Sequence, residues 1–236
     1  MAKIIHYFMA VFISICTQKG GTGKTTLTMH LATYYHVVEK RNVIVLDADF
    51  PQYSFFNERT LEIAKLRQDP DLIEELQKQA RAPYEVRKVS MTDAPALLDD
   101  LANRSDTLVF LDMPGTINIA GYDQVVKRLD YVILPMEADK LTFAAGMMTL
   151  DAFAKISRPK DKPLTSFLLW NKYKVSERQA IYESIENMAA KRPELGVLDT
   201  RIKDSVIWKN NRSTLFPHGE IKKLVAEINQ KLTLTK

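Results

Sequence analysis

One segment of the 236-residue chain narrows its possible folds more than any other: Gln18-Lys19-Gly20-Gly21-Thr22-Gly23-Lys24-Thr25-Thr26. Three of the eight glycines in the sequence fall within its four positions from 20 to 23. A β-branched, apolar run, Val11 to Ile15, precedes it and reads as a buried strand. Thr25 to Glu39 follows and reads as a helix. A loop that turns its amide N–H groups inward around phosphates needs residues without a Cβ. The helix that opens at Thr25 adds its positive end to the same anion site. Strand, glycine loop, Lys-Thr and helix in that order predict a phosphate-binding loop. Gly20, Gly21, Thr22, Gly23 and Thr26 would shape the cradle. Lys24 would reach the β- and γ-phosphates of a nucleotide, and the Thr25 hydroxyl would ligate Mg²⁺.

The remaining sequence supplies the scaffold for such a loop. Further short apolar runs at Val43–Leu46, Leu108–Leu111, Tyr131–Leu134 and Phe167–Trp170 alternate with helical stretches. That alternation predicts an α/β fold, a P-loop NTPase with a doubly wound, mostly parallel sheet covered by helices on both faces. Helices are expected at 71–79, 94–102, 142–154, 176–191 and 219–232, an edge strand at 84–89 and a last strand within 196–202. Pro135 is expected to stop the fifth strand, and the sixth is expected to end on Asn171. No linker, repeat or low-complexity tract divides the chain, so a single domain over 1–236 is expected, with residues 1 to 8 an uninformative leader. A chain of this length buries roughly 70% of its unfolded surface.

Carboxylates stand where the phosphate loop needs them. The second strand ends in Asp47-Ala48-Asp49-Phe50-Pro51-Gln52, and a later one in Asp112-Met113-Pro114-Gly115. Both place acids at the carboxyl edge, where open α/β sheets bind ligands. Mg²⁺ prefers oxygen ligands, so Asp47 and Asp112 join Thr25 as candidate metal-site residues.

An ordinary phosphate loop of this type carries glycine where this chain has Gln18, followed here by a second lysine, Lys19. Through Lys19-Gly20-Gly21-Thr22-Gly23-Lys24-Thr25 the sequence resembles the deviant Walker A family, which includes the ParA and MinD ATPases. The resemblance runs from the first strand to about residue 216. It implies ATP hydrolysis with Mg²⁺ by a homodimer that sandwiches two ATP molecules, weak without a stimulating, ParB-like protein. It implies that Lys19 reaches the partner's nucleotide, Lys24 binds its own, and Asp49 orients the attacking water. Asp47 would support the loop and the Mg²⁺ shell, and Asp112 corresponds to the Walker B acid. Gly115 would let the following segment respond to the γ-phosphate. The family's second acidic motif is Asp-x-Asp followed by Pro-Gln, and Phe50 is inserted here, which leaves the placement of Gln52 open. In the family an asparagine at the position of Asn171 pairs with adenine. A cation supplied in trans has an analogue in the arginine finger, worth roughly 10³–10⁵ in rate. Within the family, Asp-Phe-Pro-Gln and the compact size look most like ParA-type proteins encoded on conjugative elements.

Charge and cysteine content bound the remaining choices. The net charge is only +4, yet residues from 201 onward carry eight Lys and Arg against three acids. That local excess suits the nonspecific DNA binding that the ParA resemblance implies. The lone Cys16 excludes a disulfide framework and suits a reducing cytoplasm. It also excludes the family's iron–sulfur reductases, which need two cluster cysteines per subunit. The apolar run from Ile4 to Cys16 is too short to span a bilayer. With the phosphate loop so near the first residue, no upstream helix-turn-helix module is expected. Two alternatives remain. A MinD-like membrane-positioning ATPase would use the stripe Ile221, Leu224, Val225, Ile228 and Leu232, although such a stripe more often packs on its own sheet. A small-molecule kinase or ligase sharing the loop would have no use for Lys19.

Overall fold

The computed structural model describes residues 9–159, 162–177 and 179–232; the leader at 1 to 8 and Lys236 of the basic tail lie outside them. Its sheet contains β1 (Val11–Ile15), β2 (Asn42–Asp47), β3 (Glu85–Lys88), β4 (Thr107–Asp112), β5 (Tyr131–Met136), β6 (Thr165–Tyr173) and β7 (Leu195–Lys203). The order is β3-β2-β4-β1-β5-β6-β7. Every neighbouring pair is parallel, so the sheet is more uniform than the mostly parallel one expected. The helices are α1 (Lys24–Val37), α2 (Ser54–Leu66), α3 (Pro70–Lys78), α4 (Ala94–Leu101), α5 (Tyr122–Val126), α6 (Lys140–Ala154), α7 (Gln179–Ala189), α8 (Ile207–Asn210) and α9 (Lys222–Lys231).

Strand side chains alternate between two cores, as the pleat requires. Phe12, Val109, Leu111, Val132, Leu134, Leu168 and Trp170 face one side and pack with α4, α5, α6 and α7. Ile13, Ile15, Phe110, Ile133 and Leu169 face the other and pack with α1 and α9. Both faces are therefore apolar and covered, which explains why the central strands read as continuous hydrophobic runs. The switch in chain direction lies around β1, between β4 and β5, and the loop after β1 opens there.

Helix α1 is enclosed on all sides: every residue from Leu27 to His36 is buried. One side lies on the sheet. The other is covered by α9 and by the segment before it, so several polar groups of α1 find internal partners. Thr33 donates to the Ser213 carbonyl at 3.1 Å and shares a hydrogen bond with the Tyr84 hydroxyl at 2.9 Å; the Tyr35 hydroxyl donates to Asn229 at 3.0 Å. The C-terminal stripe Ile221, Leu224, Val225, Ile228 and Leu232 completes this cover and is at most 4% exposed. It is spent on the protein's own core, which removes the apolar face that membrane binding would use. No helix among the described residues is long and apolar enough to cross a membrane.

Three expectations change. Pro135 does not stop β5, which runs on to Met136. Ile133 turns its carbonyl toward β1, accepting from Cys16 N at 3.1 Å. Pro135, two residues later, turns its nitrogen to the same side, where β1 has already ended, so no ladder bond is lost. Strand β6 does not end on Asn171 but continues to Tyr173, because β7 resumes pairing after irregularities at Trp170 and Tyr173. The expected terminal helix divides into a 3₁₀ turn, Gly219–Ile221, and α9.

His30 of α1 is buried under the Trp208 ring, with centroids 4.9 Å apart, and its Nδ1 has no hydrogen-bond partner. Burial lowers its pKa to about 4. The folded protein thus holds His30 neutral while the unfolded chain protonates it near 6.5. This contribution is fully present above about pH 6.5 and is lost as pH falls toward 4. Between pH 7 and pH 5 His30 should cost about 2 kcal/mol of stability. Urea unfolding of wild type and His30→Gln at both pH values checks this. The variant should lose less stability on acidification, and an identical pH dependence would refute the assignment.

Candidate nucleotide-binding site

The loop from Cys16 to Gly23 joins the end of β1 to the start of α1. Gly21 and Gly23 adopt φ of 74° and 86°, left-handed conformations that a Cβ disfavours. Gly23 is the N-cap of α1, and its carbonyl accepts the first helical bond from Leu27 N at 2.9 Å. No side chain caps this terminus and no acid lies in its first turn. The amides at the helix start are thus left to an anion from outside. Lys24 folds back over the loop and donates to the Lys19 carbonyl at 3.0 Å. Burial lowers its pKa, and the Asp112 carboxylate opposes that shift.

The carboxylates come together through sheet register. Asp47 and Asp112 are direct partners at the ends of β2 and β4, and Ala48 N donates to the Asp112 carbonyl at 2.9 Å. Asp47 spends both carboxylate oxygens on backbone, accepting from Asp49 N at 3.2 Å and Phe56 N at 2.9 Å. It thereby fixes the turn that carries Asp49 and the first turn of α2. Asp112 is fully buried, and neither of its carboxylate oxygens has a hydrogen-bond partner in the protein. Burial first, then the Asp47 charge, push its pKa up to about 8; the neighbouring Thr25 hydroxyl and Lys24 pull the other way. An acid left bare in this position fits a cation. Among the described residues no group of three or more His, Cys, Asp or Glu side chains could hold a metal by itself. A hydroxyl, one open carboxylate and a nucleotide's own phosphates with water suit Mg²⁺, which seldom uses an all-protein cage.

Asp49 is half-buried, with its pKa raised by burial and lowered by Lys24. The inserted Phe50 points outward, 70% exposed, with its ring 5.9 Å from that of Tyr53. Gln52 is exposed in the following turn and accepts at its carbonyl from Asn57 Nδ2 at 2.8 Å. Gly115 lies over Lys24: a Cβ there would stand 3.3 Å from Nζ.

On the opposite side of the loop, Lys19 is held within its own chain. Its ammonium bonds to Asp139 at 3.2 and 3.3 Å and to the Thr142 hydroxyl at 2.6 Å. Asp139 also caps α6, accepting from Leu141 N and Thr142 N at 2.9 Å. Asn171 is buried and its Nδ2 donates to the Thr22 carbonyl at 2.7 Å. Lys172 donates to the Gly21 carbonyl at 2.7 Å and to Glu137 at 2.8 Å. Between Gly21, Thr26, Asn171, Asp204 and Trp208 lies a cavity of about 330 Å³, within the range of small-ligand pockets. The sequence singled out neither Asp139, Lys172 nor Trp208. Only Asp139 left a trace, as an N-cap residue three positions before the expected helix start.

Gly23→Ala should weaken the site at its tightest point. A Cβ would stand 2.5 Å from Asn171 Nδ2, and the left-handed backbone alone should cost about 1–2 kcal/mol. Gly20 has nothing within 4 Å of a would-be Cβ, so Gly20→Ala should unfold close to wild type. Urea unfolding with ATP titration compares them, and equal stability of the two variants would contradict this packing.

A model of the CobQ/CobB/MinD/ParA nucleotide binding domain matches residues 13–213. No curated protein matches the chain by sequence. Among solved structures, a plasmid partition protein from Borrelia burgdorferi superposes with a TM-score of 0.62 at 18% identity, over 96% of this chain and 99% of its own. The ParA of pNOB8 bound to nonspecific DNA gives 0.61 at 14% identity, over 96% and 100%. Cobyrinic acid a,c-diamide synthase from Mycobacterium smegmatis, with bound ADP and magnesium, gives 0.57 at 18% identity, over 89% and 100%. At such identities these structures share the fold. The family model spans most of the sequence, and with a phosphate loop carrying Lys19 and Lys24 above an open Asp112, the chain belongs to the CobQ/CobB/MinD/ParA family of nucleotide-binding proteins.

Proposed function

We propose that this protein is a ParA-like ATPase that dimerises on binding ATP and Mg²⁺ in the cytoplasm and serves DNA partition, positioning or conjugative transfer. The observation that carries the reading is the second lysine of the phosphate loop, Lys19, on the opposite side of that loop from a buried carboxylate without a hydrogen-bond partner, Asp112. Lys24 and the amides of α1 bind the phosphates, and Thr26 and the loop glycines shape the cradle. Asn171 borders the cavity suited to the base. Thr25 and Asp112, with Asp47 beside them, would hold Mg²⁺, which would supply charge neutralisation to the bound phosphates. In this reading Asp49, two residues past the end of β2, orients the attacking water.

Lys19 acts on the partner's nucleotide. Its pair with Asp139 is about one-third to two-fifths exposed on each side, so releasing it costs little. A dimer across this face is supported by apolar exposure. Among the described residues the most exposed large hydrophobics, Leu141 at 75%, Val175 at 73%, Phe50 at 70% and Val206 at 69%, all follow strand ends at the carboxyl edge. Covering them would add hydrophobic stabilisation to the cation bridge.

Nonspecific DNA is the proposed ligand of the dimer, and a ParB-like protein the proposed stimulator. The available basic surface is narrower than the sequence count. Arg201 pairs with Glu186 and Arg212 with Glu58, whereas Lys222, Lys223 and Lys231 are exposed along α9.

Size-exclusion chromatography with light scattering, with and without ATP, tests the cycle. Lys24→Ala should abolish nucleotide binding. Lys19→Ala should bind ATP but neither dimerise nor hydrolyse, and Asp49→Ala should accumulate as an ATP-bound dimer. Wild-type hydrolysis by Lys19→Ala would defeat the trans-lysine reading. For DNA, replacing Lys222 and Lys223 together by Glu should weaken binding of the ATP state and flatten its salt dependence by about two charges. An unchanged salt slope would move the DNA surface away from α9.

A further inference from the structure

We propose that Lys172 is a positioning residue that holds and polarises the phosphate loop from behind, with Glu137 as its anchor; the proposal rests on the nucleotide reading above. Two successive peptide units of the loop have their carbonyls tied to β6. Lys172 Nζ takes the Gly21 carbonyl at 2.7 Å, and Asn171 Nδ2 takes the Thr22 carbonyl at 2.7 Å. In a trans peptide the N–H points opposite to the C=O. Tying these carbonyls outward therefore turns the amides of Thr22 and Gly23 to the other side, toward the space the loop encloses.

The Lys172 contact differs from the Asn171 contact in carrying a full charge. A cation on the carbonyl draws electron density from the amide, so the Thr22 N–H becomes a stronger donor to a phosphate oxygen. The lysine has a second tether, because its ammonium also bonds Glu137 at 2.8 Å, in the segment that follows β5. The pair is about one-third exposed on the lysine side and less on the glutamate side. The backbone at Lys172 is itself unusual, with φ of 52° in the left-handed region. A non-glycine residue held there is uncommon and persists where its surroundings over-determine it. Here the conformation aims the residue after Asn171 back at the loop.

The test uses the full chain. In the nucleotide-free protein, the Thr22 amide proton of Lys172→Met should move upfield from its wild-type NMR position, while Lys172→Arg should stay near it. In calorimetry, Lys172→Met should bind MgATP and MgADP about tenfold more weakly, the loss expected for one charge-assisted hydrogen bond. Adenosine affinity and melting temperature should hold. Glu137→Gln should reproduce part of the loss. An unmoved Thr22 amide in a folded Lys172→Met protein would overturn the proposal. So would equal weakening of adenosine and ATP, which would make Lys172 a contact of the base pocket. Wild-type protein with no affinity for MgATP would instead sink the nucleotide reading, and the Thr22 amide shift would still judge the strut.

Discussion

The site depends on a buried imbalance of charge at the tips of β2 and β4. Parallel register brings Asp47 and Asp112 side by side without solvent, and Asp49 follows two residues later. Asp47 is satisfied by two amides, but the Asp112 oxygens have no hydrogen-bond partner, and only the neighbouring Thr25 hydroxyl and Lys24 favour their charge. A buried carboxylate in that condition is costly, and its pKa rises toward protonation. Lys24, itself partly desolvated, is the one cation of the loop close enough to offset it. The arrangement is poorly matched to an empty site and well matched to one in which a divalent cation and a polyphosphate arrive together. Asp112 would receive the cation, and Lys24 would be released from that task by the phosphates.

Such an imbalance requires a stiff surround. Helix α1 provides it by being buried all round from Leu27 to His36. Its polar residues would make that burial expensive, yet the C-terminal third supplies partners: Ser213 for Thr33, Asn229 for Tyr35, the stripe of α9 for the apolar remainder. The C-terminal helix is therefore part of the foundation of the phosphate loop. Its apolar face is occupied for that reason, and its lysines point out for the same reason.

Much of this was readable from residue types because local and global preferences agree. The strands are short, β-branched and continuous, since both faces of a parallel sheet are covered. The loop glycines and Lys24-Thr25 state their chemistry through sequence alone. What stayed hidden depends on pairing across the sheet. Pro135 looked like a strand stop because its tolerance depends on where a neighbouring strand ends. Asn171 looked like a strand end because the continuation of β6 is set by β7. Lys19 could be recognised as exceptional, but its cis partner Asp139 is 120 residues away and its link to Thr142 exists only through the fold. Lys172 and Glu137 gave no signal, being ordinary charged residues until β5 and β6 set them against Gly21. The short helices α5 and α8 are too brief to show a period.

The carboxyl edge gathers its candidate working parts from loops after β1, β2, β4, β5, β6 and β7, and in the proposed cycle that convergence would link nucleotide chemistry to association. Lys19 lies at the junction. Held by Asp139 and Thr142 it neutralises one carboxylate at the head of α6; released, it can neutralise a phosphate instead. Both states satisfy the ammonium, so the choice between them is set by what else is gained. A nucleotide-filled site on a second molecule offers more negative charge than one carboxylate, in a setting from which water is excluded, where each interaction is stronger. The apolar side chains around the same edge supply the complementary incentive, because they lose their contact with water only if two such faces meet. In that proposal neither contribution would suffice by itself: the faces would repel while two unbridged polyphosphates confronted each other, and the lysine would have no reason to leave Asp139 without a second face. In the proposed cycle, requiring both would make association conditional on nucleotide, and hydrolysis, by shortening the phosphate chain, would remove the condition.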